Sequence, residues 1–555
     1  MGEHQLVRVD AEEPEEDAHA GAQDAAAQAV KGIRQAVVAR AADPIDDELE
    51  RDERQEDRNR QAHCAAIGAV HLDIVPHYNR NMEAGQADIA IELRERLEAQ
   101  RTAFRKNPPG RRERADALRR LEQALLKHKD DIIAAISQDF GGRPAEETLT
   151  LELFPVLNEI RHALGHLKRW MEPRRAPVAW QFWPGRARVI YQPLGVVGII
   201  SPWNYPVFLS LGPMVGALAA GNHVMLKPSE LAPVTAHLMQ SMVTELYAPE
   251  HVAVIPGESE VAAGFAALPF DHLLFTGSAR VGKLVMKAAG ENLTPVTLEL
   301  GGKSPAIVHA SYSVRDAAAK IVMGKLYNAG QTCVAPDFVL LPREKKDELL
   351  SEVRAAVAKL YPKLAANRDY TRILSARQYQ RLAGLVEDAR RKGAEVLELN
   401  PAQEECNPAN RVFPLTLLLN VSDDMQVMQE EIFGPVLPLV PYHDIDEAIA
   451  YVNARPRPLA LYYFDHSGRR IREVLNRTTA GGVTVNDCIF HVGQANLPFG
   501  GIGPSGMGQY HGFDGFETFS KKKGVFLQGR VTPLRLLRPP YGRPARWILR
   551  FLVGA

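Results

Sequence analysis

Pro193-Leu-Gly-Val-Val-Gly-Ile-Ile-Ser-Pro-Trp-Asn-Tyr-Pro206 decides how the fold is read. Its first half is a short β-branched run, and its second half is a loop pinned by Pro202 and Pro206, the pattern of a buried strand that stops abruptly. Similar runs follow at residues 224–226, 272–275 and 296–300, with helical stretches between them, so strands at 196–201 and these three positions are expected. Strands that alternate with helices predict a parallel sheet covered by helices on both faces. A second α/β unit is expected over about 301–496, with strands near 306–308, 338–341 and 483–485. Upstream, apolar residues at three- and four-residue spacing predict helices across 91–171, most clearly at 115–126 and 151–167. Residues 178–192, aromatic and β-branched around Pro184-Gly185, read as a β-hairpin and a plausible dimer contact.

The rest of the chain limits what this fold can serve. At 555 residues it exceeds one compact core, and its 46% hydrophobic and 24% charged residues are those of a globular protein. Lys plus Arg (66) nearly cancels Asp plus Glu (67), so no global field draws it to nucleic acid. The four cysteines, Cys64, Cys333, Cys406 and Cys488, have no metal-ligand spacing, so no metal is expected and a reducing compartment is implied. No leader-like segment or membrane-length apolar run is present, and the chain is read as cytoplasmic. Residues 1–88, rich in Ala, Arg, Asp and Glu, bury too little to order themselves. Met82 opens the first foldable stretch; either translation starts near it or the upstream residues are a flexible tail, and intact mass of protein from the native host distinguishes the two.

Three motifs carry candidate chemistry. Tyr327-Asn-Ala-Gly-Gln-Thr-Cys333 follows an apolar helical segment and sets one cysteine among small and polar residues, exposed enough to react, with backbone N–H groups or cations to favour its thiolate. The plain alternative is a buried cysteine acting as a small hydrophobe. Leu298-Glu-Leu-Gly-Gly-Lys-Ser-Pro305 places Glu299 inside an apolar strand, where desolvation raises its pKa toward that of a useful base, unless it pairs with Lys303 or caps a helix. Asn204 could offer its amide to a developing oxyanion, an interaction worth about 3 kcal/mol in comparable sites, or be an ordinary turn residue.

Together, in this order and over about residues 90–530, these motifs resemble the aldehyde dehydrogenase superfamily. The resemblance implies that Cys333 is the nucleophile, Glu299 the water-activating acid and Asn204 part of the oxyanion hole. It also implies a Rossmann-like cofactor domain (89–173 and 195–300), a catalytic domain (301–492), and a small β oligomerisation element (174–194 and 493–530) in a homodimer, followed by a tail (531–555). No GxGxxG follows the first strand. Phe275-Thr-Gly-Ser-Ala-Arg-Val-Gly282 is instead similar to the family's pyrophosphate loop, implicating Gly277, Ser278 and Gly282 at a helix N-terminus. Lys227-Pro-Ser-Glu230 resembles the adenosine-ribose site; Glu230 would repel a 2′-phosphate, favouring NAD with NADP left open. Glu431-Ile-Phe-Gly-Pro435 resembles the nicotinamide-ribose motif, implicating Glu431 and Phe433, with Trp203 beside them.

The residues 326–337 and the tail's Pro-Pro-Tyr541-Gly are similar to the coniferyl-aldehyde dehydrogenase branch, which implies an aromatic or medium-chain aldehyde. The apolar residues near Trp547 are interrupted by Arg550; packing on the protein is favoured there over peripheral membrane contact. Two rivals stand beside aldehyde oxidation to the acid: a coenzyme-A-acylating enzyme, against which the acid at 299 argues, and a non-catalytic protein on the same scaffold.

Overall fold

The computed structural model describes residues 75–530 and 532–554. The expectations for 1–74, including Cys64, lie outside the described residues. Helix α1 (Val75–Lys106) begins before the helical pattern read from residue 91 and runs through Met82. Gly85–Ala555 is one compact unit.

The first sheet has the order β15-β7-β6-β3-β4-β5, from β3 (Val196–Ile200), β4 (His223–Lys227), β5 (Val252–Val254), β6 (His272–Thr276), β7 (Val296–Glu299) and β15 (Gly506–Met507). All pairings are parallel except β15 with β7. Period-two alternation divides each strand between two cores. Val197, Ile199, Val224, Leu226 and Leu274 face one, whereas Val196, Ile200, Met225, Leu273 and Phe275 face the other. The chain builds outward from β3 to β4 and β5, then crosses back to place β6 on the other side of β3. A crevice opens where that direction reverses, beyond the carboxyl ends of β3 and β6.

Helices α2 (Arg111–Lys127), α3 (Lys129–Phe140), α4 (Phe154–Met171) and α5 (Phe208–Ala220) contribute to the first of those cores, and α6 (Pro233–Leu246) joins β4 to β5. A short helix, Ala145–Thr148, passes through a π turn, Leu149–Leu153, into α4. On the other face, α7 (Ser259–Ala266) and α8 (Ala279–Gly290) pack against Leu93 and Leu97 of α1 or the strands beneath.

The second sheet is β10-β11-β12-β9-β8-β13-β14, parallel except for β10. Its strands are β8 (Pro305–Val308), β9 (Phe338–Pro342), β10 (Glu395–Leu399), β11 (Leu415–Leu419), β12 (Val436–Tyr442), β13 (Ala460–Phe464) and β14 (Gly482–Val485). Helix α9 (Val314–Leu326) covers one face, and α11 (Ala376–Arg391) the other, with α10 (Lys346–Leu360) beside α9. The sequence reading found three of these seven strands. Pro438 and Pro441 disguise β12, and a short, largely leucine run such as β11 carries no period that separates strand from helix.

The hairpin expected over 178–192 is corrected in position. Its strands are β1 (Arg174–Ala176) and β2 (Arg186–Pro193), while Trp180–Phe182 form a 3-10 turn between them. The longer partner of β2 comes from the far end of the chain: β16 (Ser520–Leu527) pairs with it antiparallel along all of its length. The tail folds into α15, preceded in chain order by α12 (Ile445–Asn453), α13 (Gly468–Arg477) and α14 (Gly512–Thr518), and spans Arg543–Val553. The expected packing of this tail is slight: Ala545 is its buried residue, Phe551 meets Trp180 at 6.0 Å, and Trp547 remains 69% exposed. No helix among the described residues is long and apolar enough to cross a membrane.

Candidate active site

Between α9 and Cys333 the backbone makes a tight left-handed passage, with φ of 51° at Asn328, 50° at Ala329 and 74° at Gly330. Such conformations cost non-glycine residues energy and persist where surrounding bonds hold them. The motif's own polar side chains do that here. Asn328 donates through Nδ2 to the Gln331 carbonyl at 3.1 Å, and Gln331 donates back to the Asn328 carbonyl at 3.0 Å and onward to the Arg372 carbonyl at 3.1 Å. The Leu374 N–H donates to Gln331 Oε1, and the Thr332 and Tyr205 hydroxyls meet at 2.6 Å. The residue types flanking the cysteine are therefore a frame for it.

Cys333 is half-buried and borders two cavities. One, about 370 Å³, is lined by Trp203, Asn204, Gly277, Ser278, Glu299, Glu431 and Phe433, among others. The other, about 150 Å³, is walled mainly by apolar and aromatic side chains, including Leu151, Phe154, Tyr205, Phe208, Ile489, Phe490 and Phe499. The expectation of a favoured thiolate is corrected. Burial, then Glu431 and Glu299, push the thiol up to about 12, outweighing the pull of the Cys333 and Val334 N–H groups. Such a rise favours the protonated thiol over the thiolate.

Glu299 ends β7, beside Thr276 on one edge and Gly506 on the other. It is buried, neither carboxylate oxygen has a hydrogen-bond partner, and burial holds its pKa well above the usual carboxylate range. The rival pairing with Lys303 does not occur. Lys303 bonds to Asp337 and to the carbonyls of Val427 (2.7 Å) and Glu430 (3.0 Å), fastening the loop that carries Glu431. Asn204 is also buried, and its Nδ2 donates to the Gln331 carbonyl at 3.1 Å. A primary amide has a second N–H to give.

The opposite wall is built from the β6–α8 turn and the 431–433 loop. Gly277 lies against Phe275, where a Cβ would stand 2.6 Å from the ring, and Ser278 caps α8 by accepting from the Val281 N–H at 3.4 Å. Glu431 rests on Gly301, where a Cβ would fall 1.9 Å from its carboxylate. Burial, then Asp337, push Glu431 up to about 8, and its Oε1 has no partner. Phe433, at φ 54°, meets Trp203 edge-on at 5.3 Å.

Eight of the residues singled out in the sequence thus share one cavity: Trp203, Asn204, Gly277, Ser278, Glu299, Cys333, Glu431 and Phe433. Three do not line it. Gly282 lies on the buried face of α8, where a Cβ would meet Leu300 at 2.8 Å, so its part is to let the helix approach the strand. Lys227 and Glu230 stand 3.7 Å apart at the end of β4, and burial lowers the Lys227 pKa. Sequence reasoning missed Arg381, which reaches from α11 to the carbonyls of Glu431 (2.6 Å) and Ile432 (2.8 Å). It also missed Lys325, buried without a partner and lowered to about 8 by desolvation. No motif marks either: Arg381 acts on a loop remote in sequence, and Lys325 sits at the end of an apolar helical run without a partner. Among the described residues, no group of three or more His, Cys, Asp or Glu could hold a metal ion.

Comparison with known proteins bears on this geometry. The model of the aldehyde dehydrogenase family matches residues 77–525. A probable coniferyl aldehyde dehydrogenase of Pseudomonas aeruginosa is 53% identical over 445 residues, covering 80% of this chain and 92% of that protein. The substrate-bound structure of Staphylococcus aureus AldH superposes with a TM-score of 0.78 at 35% identity, covering 82% of this chain and 99% of that one. An indole-3-acetaldehyde dehydrogenase in complex with NAD+ superposes with a TM-score of 0.72 at 26% identity, covering 79% and 89%.

Proposed function

Since this chain belongs to the aldehyde dehydrogenase family and is an aldehyde-oxidising oxidoreductase, we propose that it converts an aromatic or medium-chain aldehyde to its carboxylic acid through a thioester on Cys333. One observation carries this reading: Cys333 stands where a polar cavity bearing Glu299, Glu431 and a helix N-terminus meets a hydrocarbon-lined one. The polar cavity suits NAD(P). Its unpartnered Glu431 oxygen can accept from ribose hydroxyls, and the first-turn N–H groups of α8, beside Gly277 and Ser278, can face a pyrophosphate. When bound, NAD(P)+ supplies the hydride acceptor and a positive ring that favours the thiolate.

The chain's own groups do the rest. The Cys333 thiol gives up its proton to solvent water, its sulfur bonds to the aldehyde carbon, and the oxyanion that forms is held by the Asn204 amide and the Cys333 N–H. Loss of hydride leaves the thioester. Glu299, desolvated and so a stronger base than an exposed carboxylate, takes a proton from water as that water attacks the acyl carbon. The acyl–sulfur bond breaks, and the acid leaves as carboxylate. Glu299 argues for water over coenzyme A as acyl acceptor, and the complete set of catalytic side chains argues against a non-catalytic role.

The finer assignments are of the same kind. Glu230, at the end of β4, favours NAD over NADP through repulsion of a 2′-phosphate, with Lys227 as its companion on the ribose. Ring-lined walls at Tyr205, Phe208, Phe490 and Phe499 suit a planar substrate, in keeping with the relative named for coniferyl aldehyde. The three-stranded sheet with β2 and β16 is the proposed homodimer contact, and the enzyme is placed in the cytoplasm. An NADH-fluorescence screen over aliphatic, benzylic and cinnamyl aldehydes, with and without coenzyme A, tests the reading. Cinnamyl and benzylic aldehydes are expected to give the highest kcat/KM with NAD and no coenzyme A requirement; turnover confined to coenzyme A would overturn it.

A further inference from the structure

Arg143 is a buried cation on which both catalytic loops converge, although it does not line the cavity with Cys333. Its Nη1 donates to Glu152 Oε1 at 2.9 Å and to the Asn204 carbonyl at 3.3 Å. The guanidinium lies over the Tyr205 ring at 4.9 Å and over Phe140 at 5.3 Å, and Nε stands 3.9 Å from Glu147.

Each carboxylate carries the contact onward. Glu152 Oε2 accepts the N–H groups of Val207 (3.0 Å) and Phe208 (2.8 Å), where the loop after Asn204 enters α5. Glu147 Oε2 accepts the Asn328 N–H (3.1 Å) and the Thr371 hydroxyl (2.7 Å), and Asn328 Nδ2 donates to the same Asn204 carbonyl at 3.0 Å. The Asn204 peptide is thus gripped from one side by Arg143 and from the other by the loop that ends in Cys333.

Stability does not account for this arrangement. Burying three ionisable groups carries a desolvation penalty, and apolar residues of the same volume commonly serve stability as well or better. Burial pushes both Glu147 and Glu152 upward, and Arg143 Nε and Nη2 find no partner. Glu152 is delivered by the π turn Leu149–Leu153, a distortion that recurs at functional sites. A helix irregularity and an incompletely satisfied ion cluster meet where the amide of Asn204 must be aimed.

We propose that Arg143 is a positioning residue for the reaction: by fixing the Asn204 peptide and the paired Asn328 loop, it aims the Asn204 amide at the oxyanion. The proposal rests on the reading that Asn204 stabilises that oxyanion, and Arg143 acts through it without touching substrate. Lysine keeps the charge at this position but loses the fork that reaches Glu152 and the Asn204 carbonyl together.

A double-mutant cycle in the full-length protein tests it. Arg143→Lys is expected to lower kcat roughly 10- to 100-fold, the cost of a small misplacement of a catalytic group, with KM changed by no more than about threefold. In an Asn204→Ala background the same substitution is expected to change kcat by less than about twofold, because nothing is left to aim. A full additional loss in that background would overturn the proposal, as would wild-type kcat in Arg143→Lys. Should that variant not fold by thermal melting, Glu152→Gln takes its place in the same cycle with the same expectations. If Asn204→Ala alone retains wild-type kcat, the oxyanion reading fails; if that variant is impaired and the losses are additive, the positioning role alone fails.

Discussion

The two cavities that meet at Cys333 differ in one respect above all: Glu299 and Glu431 line the first and no carboxylate lines the second. On one side lie buried carboxylates with unpartnered oxygens, at a cost to the folded state, beside a capped helix N-terminus and a bonded amide; on the other lie mainly rings and aliphatic chains at no such cost. If the proposed roles hold, the contrast teaches that reaction and recognition are divided at one sulfur atom. Substitutions on the polar side should act on kcat, and those on the apolar side on KM and on the choice of substrate.

The largest effect should come at the boundary itself. Cys333→Ala is expected to abolish aldehyde oxidation while NADH binding, followed by its fluorescence, survives; unchanged turnover would sink the nucleophile assignment. Next is Glu299→Gln, expected to cut steady-state turnover by about 10²- to 10⁴-fold while a burst of NADH, near one per active site, is retained. Intact mass should then reveal the acyl adduct, and absence of both burst and adduct would mean that Glu299 acts before acylation. Asn204→Ala should follow, with kcat reduced about 10²- to 10³-fold.

Across the sulfur the expectation changes in kind. Phe490→Ala is expected to raise KM for a cinnamyl aldehyde about tenfold, the scale of one lost apolar contact, while kcat stays within a fewfold. A fall in kcat with KM intact would blur the division between the cavities. The smallest effect concerns stability. Burial lifts Glu431 from its ordinary 4.5 to about 8, so the folded chain holds that proton more tightly than the unfolded chain does. Its contribution is fully present below about pH 4.5 and is lost as pH rises to about 8. Glu431→Gln, which cannot titrate, should flatten the decline of the urea midpoint of the free protein over that window; an unaltered decline would assign it to other groups.

What could be read from the sequence follows from locality. Strands β3, β4, β6 and β7 are short buried runs between breakers, and each of the three motif residues stands in a segment whose neighbours announce it. The rest depends on encounters across the chain. Arg381 touches a loop 50 residues away, and Arg143 reaches Asn204 over 61 residues. Neither has a period or spacing that composition could betray. The thiol illustrates the same limit: neighbours in sequence suggest an eased ionisation, whereas burial and then Glu431 and Glu299, close in space, oppose it.

The edge strand β15 has a consequence for when activity can begin. Gly506 and Met507 border Leu298 and Glu299, and the Leu300 N–H donates to the Ser505 carbonyl at 3.0 Å. During synthesis the ribosome releases Cys333 and Glu299 long before the segment that seals the acid's flank. A nascent chain therefore carries Glu299 beside an unfinished sheet edge, and the strand that flanks this acid is added only once residues 506–507 have emerged.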